Sequence, residues 1–277
     1  MSEDTDKPTA TVNAEDMSFW SHLEALRGVI LQVGAVVVGF SIGFFFIMRW
    51  FFDHVILWPC RADFPLYSAL SFMKGDGEWI PDMGTADFNI ELINIKLGTQ
   101  LMTHISASLW LGLAFAFPLV IYLLWRFVAP GLYENERRGA RKAFLFGNVM
   151  FYLGILTGYF IVYPLALRFL SGYTLSDTIS NQLTLDSYMD NFYTVIVSMG
   201  VVFELPLVAW MLGRMGLINR GFFSRYRRHA ILGLAVLAGF ITPTSDIFTL
   251  FVVFVPLYAL WEFGARLVPA ASRDDAD

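Results

Sequence analysis

Four apolar runs of helical length, at residues 29–52, 99–129, 143–170 and 191–213, constrain this chain more than any other feature. Each clears the roughly 20 residues that an α-helix needs to cross a hydrocarbon core. Two shorter runs follow, at 229–242 and 247–265, separated by T-P-T-S-D at 242–246. Read as one helix, 229–265 would measure about 55 Å, far more than a bilayer accommodates. Pro243 and its polar neighbours therefore predict a turn. The expected fold is an all-α integral membrane protein of six transmembrane helices, with the last two spans short. A hydrophobic content of 56%, with 27 Phe and 8 Trp, excludes an ordinary soluble domain.

Charge predicts the orientation. The expected loop 131–142 carries Arg137, Arg138, Arg141 and Lys142, and the expected loop 214–228 carries Arg214, Arg220, Arg225, Arg227 and Arg228, whereas the expected loop 171–190 has no Lys or Arg. By the positive-inside rule both termini face the cytoplasm and the long loop 53–98 lies outside. The net charge of -5 comes from the ends: 1–16 has five acids against Lys7, and 272–277 has three against Arg273. The chain divides into a disordered acidic tail (1–17), the membrane domain (18–266) and an acidic cytoplasmic tail (267–277). No cleavable signal peptide is predicted, because the first apolar run follows an acidic tail with no small-residue cleavage pattern. Cys60 has no cysteine partner, the four histidines show no metal spacing, and no nucleotide-binding or hydrolase motif appears. No cofactor, metal, nucleic-acid partner or catalytic residue is expected.

Several polar residues invite a functional reading. At 125–138, W-R-F-V-A-P-G-L-Y-E-N-E-R-R, an apolar helix is stopped by Pro130-Gly131 and opens onto Glu134, Glu136, Arg137 and Arg138. A carboxylate there, beside the headgroups, is well placed to receive a cationic peptide. Glu204, in V-V-F-E-L-P, falls near the middle of the fourth span, where a carboxylate is costly and by default functional. The structural alternative is a neutral glutamic acid bonded to the Val202 carbonyl, which Pro206 frees. Asp246 suits a cap on the sixth helix, accepting from the amide of Phe248 or Thr249. Glu262 and Arg266, four apart, suit an intrahelical pair. His22, Glu24 and Arg27 sit on an amphipathic lead-in to the first span.

Taken in order, the segments resemble TatC, the polytopic core subunit of the twin-arginine protein translocase. The matching stretches are H-L-E-A-L-R at His22, P-L-V-I-Y-L-L-W-R-F-V-A-P-G-L-Y-E-N-E-R-R from Pro118, and G-Y-F-I-V-Y-P-L-A from Gly158. G-V-V-F-E-L-P from Gly200, F-I-T-P-T-S-D from Phe240 and P-L-Y-A-L-W-E-F-G from Pro256 complete the set. The F-V-A-P-G-L-Y-x-x-E-R-R element is the specific one, and the resemblance spans about residues 18–266.

The resemblance implies a concave, glove-like bundle in the bacterial inner membrane. It implies a non-enzymatic receptor for the twin-arginine signal peptides of folded precursors. It also implies TatA- and TatB-type single-span partners, membrane lipids, self-association in the receptor complex, and drive from the proton-motive force. Glu136 matches the family's signal-contacting glutamate, with Phe127, Pro130, Leu132, Tyr133, Arg137 and Arg138 around it. Glu204 matches an intramembrane glutamate where signal peptide or partner helices insert, and Pro59 and Asp246 match outer-side positions.

Two residues depart from the family pattern. Its N-terminal H-L-x-E-L-R places a second arginine-binding glutamate where this chain has Ala25, with Glu24 one residue earlier and about 100° round the helix. Leu250 stands where a glutamine is common. Outside the family, the competing reading is a proton-coupled small-molecule transporter using Glu204, and a scaffold without receptor function is the third. Six helices cannot enclose a pore for folded cargo, so assembly with other chains and local bilayer thinning beside the short spans are expected.

Overall fold

The computed structural model describes residues 14–70, 89–128, 134–174, 176, 178, 181–242 and 246–268, and for 14–22, 70, 128 and 134–142 it describes the backbone alone. The chain forms α1 (Ala14–Phe51), α2 (Pro65–Leu70), β1 (Leu92–Ile93), α3 (Thr99–Val128), α4 (Glu134–Thr157) and α5 (Tyr163–Gly172). It continues through β2 (Leu183–Thr184), α6 (Leu185–Val202), α7 (Leu205–Arg214), α8 (Arg220–Arg225), α9 (Arg227–Ile241) and α10 (Ile247–Leu267). A π-helical turn at Gly158–Val162 joins α4 to α5, and a two-residue break joins α6 to α7. Five segments are long and apolar enough to cross a membrane. α9 is the sixth, with 15 residues or about 22 Å. α10 has 21 residues, about 31 Å, so the last pair is shorter than the 29 to 38 residues of the other four.

α1 starts at Ala14, four residues inside the stretch assigned to the acidic tail. Glu15 and Asp16 explain the difference, since acids in a first turn complement the helix dipole. The rest of that tail, and 269–277, lie outside the described residues.

At one end of the bundle, the cap face, α1 unwinds. Its last turn becomes a π-helix (Phe52–Ile56) and then a 3-10 turn (Trp58–Cys60) around Pro59. Proline has no N–H, so Pro59 leaves the Val55 carbonyl without its helical donor. Close to hydrocarbon such an oxygen must be paired within the protein. Three tyrosines supply the donors: Tyr159 Oη donates to Val55 O (2.7 Å), Tyr188 Oη to Ile56 O, and Tyr67 Oη to Pro59 O (2.7 Å). They come from the π-turn after α4, from α6 and from α2, so the end of α1 is fastened to three other elements. The same device recurs in α3, where Pro118 frees the Ala114 carbonyl and Tyr152 Oη of α4 reaches it at 3.3 Å. A parallel pairing of β1 with β2, Leu92 opposite Leu183, ties together the segments that lead into α3 and α6.

Small residues bring the helices close. A Cβ on Gly154 of α4 would lie 2.5 Å from the Met199 carbonyl oxygen and 2.9 Å from Gly200 Cα, both on α6. α1 meets α3 at Ser41, whose Cα would be 2.7 Å from a Cβ on Gly112. These are backbone approaches that larger side chains would block. Away from the cap, the body of α1 packs along α3 and leaves much of its remaining surface exposed. An apolar concavity of about 670 Å³ results, lined among others by Trp50, Trp110, Phe115, Phe151, Tyr159 and Phe192.

At the opposite end, the basic face, Glu262 of α10 does not pair with Arg266. It bonds Arg227 Nη2 at 2.7 Å, while Arg227 Nε donates to Tyr258 Oη and Tyr258 Oη donates to Glu262 Oε1, each at 2.9 Å. An antiparallel neighbour presents its arginine to Glu262, a geometry that spacing along a single helix cannot reveal.

The glycine seam makes a direct prediction. Gly154→Val forces a methyl into the Met199 carbonyl and is expected to destabilise the solubilised protein by about 3 kcal/mol or more. Gly39→Ala, whose Cβ has nothing within 4 Å, is expected to be neutral. Thermal unfolding in detergent checks both, and equal midpoints would contradict the seam.

Candidate functional site

The residues singled out by the sequence fall into three places. Glu24 lies on the exposed surface of α1, as does Ala25. Ser41 and Gly112 fix the antiparallel register of α1 and α3. Glu24 is 17 residues from the crossing and Phe127 is 15, or about 25 and 22 Å along the two axes. Both therefore reach the basic face. Glu136, Arg137 and Arg138 fall in the first two turns of α4, whose N-terminus lies at that same face. Their side chains, and Pro130, Leu132 and Tyr133 entirely, lie outside the described residues. The structure thus assembles Glu24, Phe127 and the start of α4 on one end of the molecule.

Glu204 occupies a second place, the break between α6 and α7. Pro206 is the second residue of α7, and Phe203 and Glu204 form a turn that closes α6 (Glu204 N to Val201 O, 3.1 Å) and opens α7 (Val208 N to Glu204 O, 3.1 Å). The interruption stands the carboxyl group against α4 at Gly147. A Cβ there would be 3.0 Å from Glu204 Oε2 and 2.8 Å from Leu207 Cδ2. Glycine at 147 is what makes room for the acid. Glu204 Oε1 is buried with no hydrogen-bond partner among the described residues, so the bond to the Val202 carbonyl that would make it purely structural is not formed by this oxygen. The next residue on α4, Asn148, spends Nδ2 on the Phe144 carbonyl (2.9 Å), and its Oδ1 is likewise buried and unpartnered.

A buried oxygen without a donor is expensive. Such an oxygen calls for a proton or for a donor beyond the described residues. Gly147 and Asn148 escaped the sequence reading. Asn148 was detectable as a polar residue inside an apolar run; Gly147 acquires meaning only once α4 lies against α7.

The outer-side positions form the third place, and both act structurally. Asp246 is the N-cap of α10, with Oδ1 accepting from Thr249 N at 2.7 Å, the second of the two amides expected. Pro59 is buried in the 3-10 turn and creates the carbonyl pattern that the tyrosines satisfy. Leu250 packs toward α9, where a Cβ on Gly239 would touch its Cδ1 at 3.9 Å, and so brings no polar group to Glu204.

Comparison with known proteins follows from this geometry. A family model described as Sec-independent protein translocase protein (TatC) matches residues 21–256. The Koribacter versatilis Sec-independent protein translocase protein TatC is 34% identical over 247 residues, 88% of this chain and 82% of that one. The Deinococcus radiodurans protein of the same name is 37% identical over 178 residues, 64% of this chain and 66% of its own length. A crystal structure of the twin-arginine translocase receptor TatC in the detergent DDM superposes with a TM-score of 0.69 at 27% identity, covering 89% of this chain and 99% of that chain. The family is one of membrane transport proteins without enzymatic activity, and its structures are six-helix membrane proteins. With the family model matching from α1 into α10, the chain belongs to the TatC family of Sec-independent protein translocase proteins.

Proposed function

We propose that this chain receives the twin-arginine signal peptides of folded precursors at its basic face, which is turned to the cytoplasm of a bacterial cell with both termini on that side. The observation that carries the reading is the convergence of Glu24, Phe127 and the first turns of α4, with Glu136, on one end of the bundle. Guanidinium and carboxylate form bidentate, charge-assisted bonds that an ammonium cannot reproduce. Phe127 offers aromatic surface at that end of the bundle, and Tyr133, Arg137 and Arg138 are the family-matched residues of the motif around Glu136. Glu24, one residue early relative to the family's glutamate, is an auxiliary acid on an exposed face.

Glu204 is the membrane-depth half of the same function. It accepts a hydrogen-bond donor from an inserting helix of a TatA- or TatB-type partner or of the signal peptide. Copies of this chain then assemble with those partners around cargo under the proton-motive force, since six helices do not enclose a pore. α9, about 22 Å long against a hydrocarbon core of about 30 Å, thins the bilayer where that assembly forms. Family membership favours this translocase reading over a small-molecule transporter built on Glu204.

Two experiments test the reading. Binding of a twin-arginine peptide to the solubilised chain is expected to exceed that of its twin-lysine variant and to fall roughly 10- to 100-fold in Glu136→Ala, the value of one charge-assisted bond pair. Equal binding of the two peptides, or an unchanged Glu136→Ala, contradicts it. At membrane depth, Gly147→Val is expected to displace the Glu204 carboxyl and to reproduce the export loss of Glu204→Ala while the protein still inserts. Normal export in Gly147→Val would remove Glu204's packing from the account.

A further inference from the structure

A second polar site lies at the cap face, away from the signal-peptide and Glu204 regions. It is a pocket of about 630 Å³ between the end of α1, the turn after it and the start of α3. Its polar lining includes Arg49, Asp53, Arg61, Gln100, Thr103 and His104. Neither arginine belongs to an ion pair among the described residues; those pairs are Lys96–Asp186 and Arg227–Glu262. Arg61 Nη2 donates to the backbone carbonyl of Asp53 at 3.0 Å, which aims the guanidinium without neutralising it. His104 Nε2 donates to the Phe45 carbonyl at 2.9 Å, so α3 is fastened to α1 directly below the pocket.

The surroundings identify the ligand's other half. Leu97 just before α3, and Leu101, Met102 and Ile105 in its first turns, stand 46% or more exposed, as does Phe46 on α1. Solvent-facing apolar side chains bordering a cationic pocket, at the level where two transmembrane helices end, suit acyl chains beneath a phosphate.

We propose that this pocket binds the headgroup of an anionic phospholipid of the outer leaflet. Two guanidiniums against one carboxylate leave a single net positive charge, which matches a phosphodiester with an uncharged, hydroxylated headgroup. The arginines hold the phosphate oxygens. Asp53 accepts from headgroup hydroxyls, and the Gln100 amide and Thr103 hydroxyl supply further hydrogen bonds. The lipid then fills the outer angle between α1 and α3.

The test uses the full chain in detergent, exchanged into equal phosphatidylglycerol and phosphatidylethanolamine and read by native mass spectrometry. Wild type is expected to retain one more phosphatidylglycerol than R49Q/R61Q, with retention falling roughly fivefold for each arginine removed. R225Q/R228Q, altered at the opposite face, is expected to keep that lipid. Soluble glycerophosphoglycerol at the same concentration is expected not to displace it. Should the double variant fail to fold, the single variants Arg49→Gln and Arg61→Gln carry the comparison. Unchanged phosphatidylglycerol retention in folded variants, equal loss of phosphatidylethanolamine, or displacement by the soluble headgroup would each overturn the proposal.

Discussion

Backbone carbonyls that lose their helical donors near hydrocarbon must find donors inside the protein, and three tyrosine hydroxyls meet that demand where α1 ends. The prolines and π-turns that shape this chain would otherwise expose unpaired oxygens. Tyr159, Tyr188 and Tyr67 pair with Val55, Ile56 and Pro59, and each reaches from a different element. The bonds therefore do more than satisfy polar groups. They fasten α1, whose body packs along α3, to the bundle of α4, α5 and α6. With one end held and the body free, an apolar concavity persists between the two halves.

The same economy frames the break at Glu204. α6 and α7 could have formed one continuous helix, but Pro206 removes a donor and Glu204 takes a turn conformation at the junction. Where the cap breaks are closed by hydroxyls, the break at Glu204 carries a carboxyl oxygen, and the facing helix the Asn148 oxygen, that have no partner among the described residues. The broken carbonyls of α1 are paired at the cap, whereas the break at Glu204 keeps side-chain acceptors open; the Tyr193 and Thr249 hydroxyls are likewise buried without a partner among the described residues. The break at Glu204 therefore supports the proposed docking of a partner helix there.

Much of this was legible in the sequence because membrane physics reduces the choices. The six spans, the separation of α9 from α10 and the capping role of Asp246 follow from apolar run lengths, proline and a single short acid; Pro243 itself lies outside the described residues. The charged stretch 131–142 reads as a loop, yet α4 begins at Glu134, and the structure places that start on the same end of the bundle as Glu24 and Phe127. What escaped were relations between helices. Glu262 looked paired with Arg266 because a single helix was considered, whereas Arg227 of α9 lies across from it. Gly147 and Gly154 carried no signal, since a glycine in an apolar run reveals neither the carboxyl group nor the carbonyl that its missing side chain admits. The tyrosine donors of the cap carried no sequence signal either, because their acceptors exist only where α1 unwinds.

The central claim is that tyrosine–carbonyl bonds hold the cap closed, and the chain carries its own reporter of that closure. Cys60 is its one cysteine, 4% exposed, with its thiol against the Tyr188 hydroxyl. The most direct measurement is the rate of maleimide labelling of Cys60 in wild type and in Tyr188→Phe, with helical content followed by circular dichroism. Loss of the hydroxyl leaves the Ile56 carbonyl buried without its donor, a cost of about 1–3 kcal/mol. Labelling is predicted to accelerate by about tenfold or more while the helices remain. Equal rates in the two proteins would show that the cap is held by something other than these bonds.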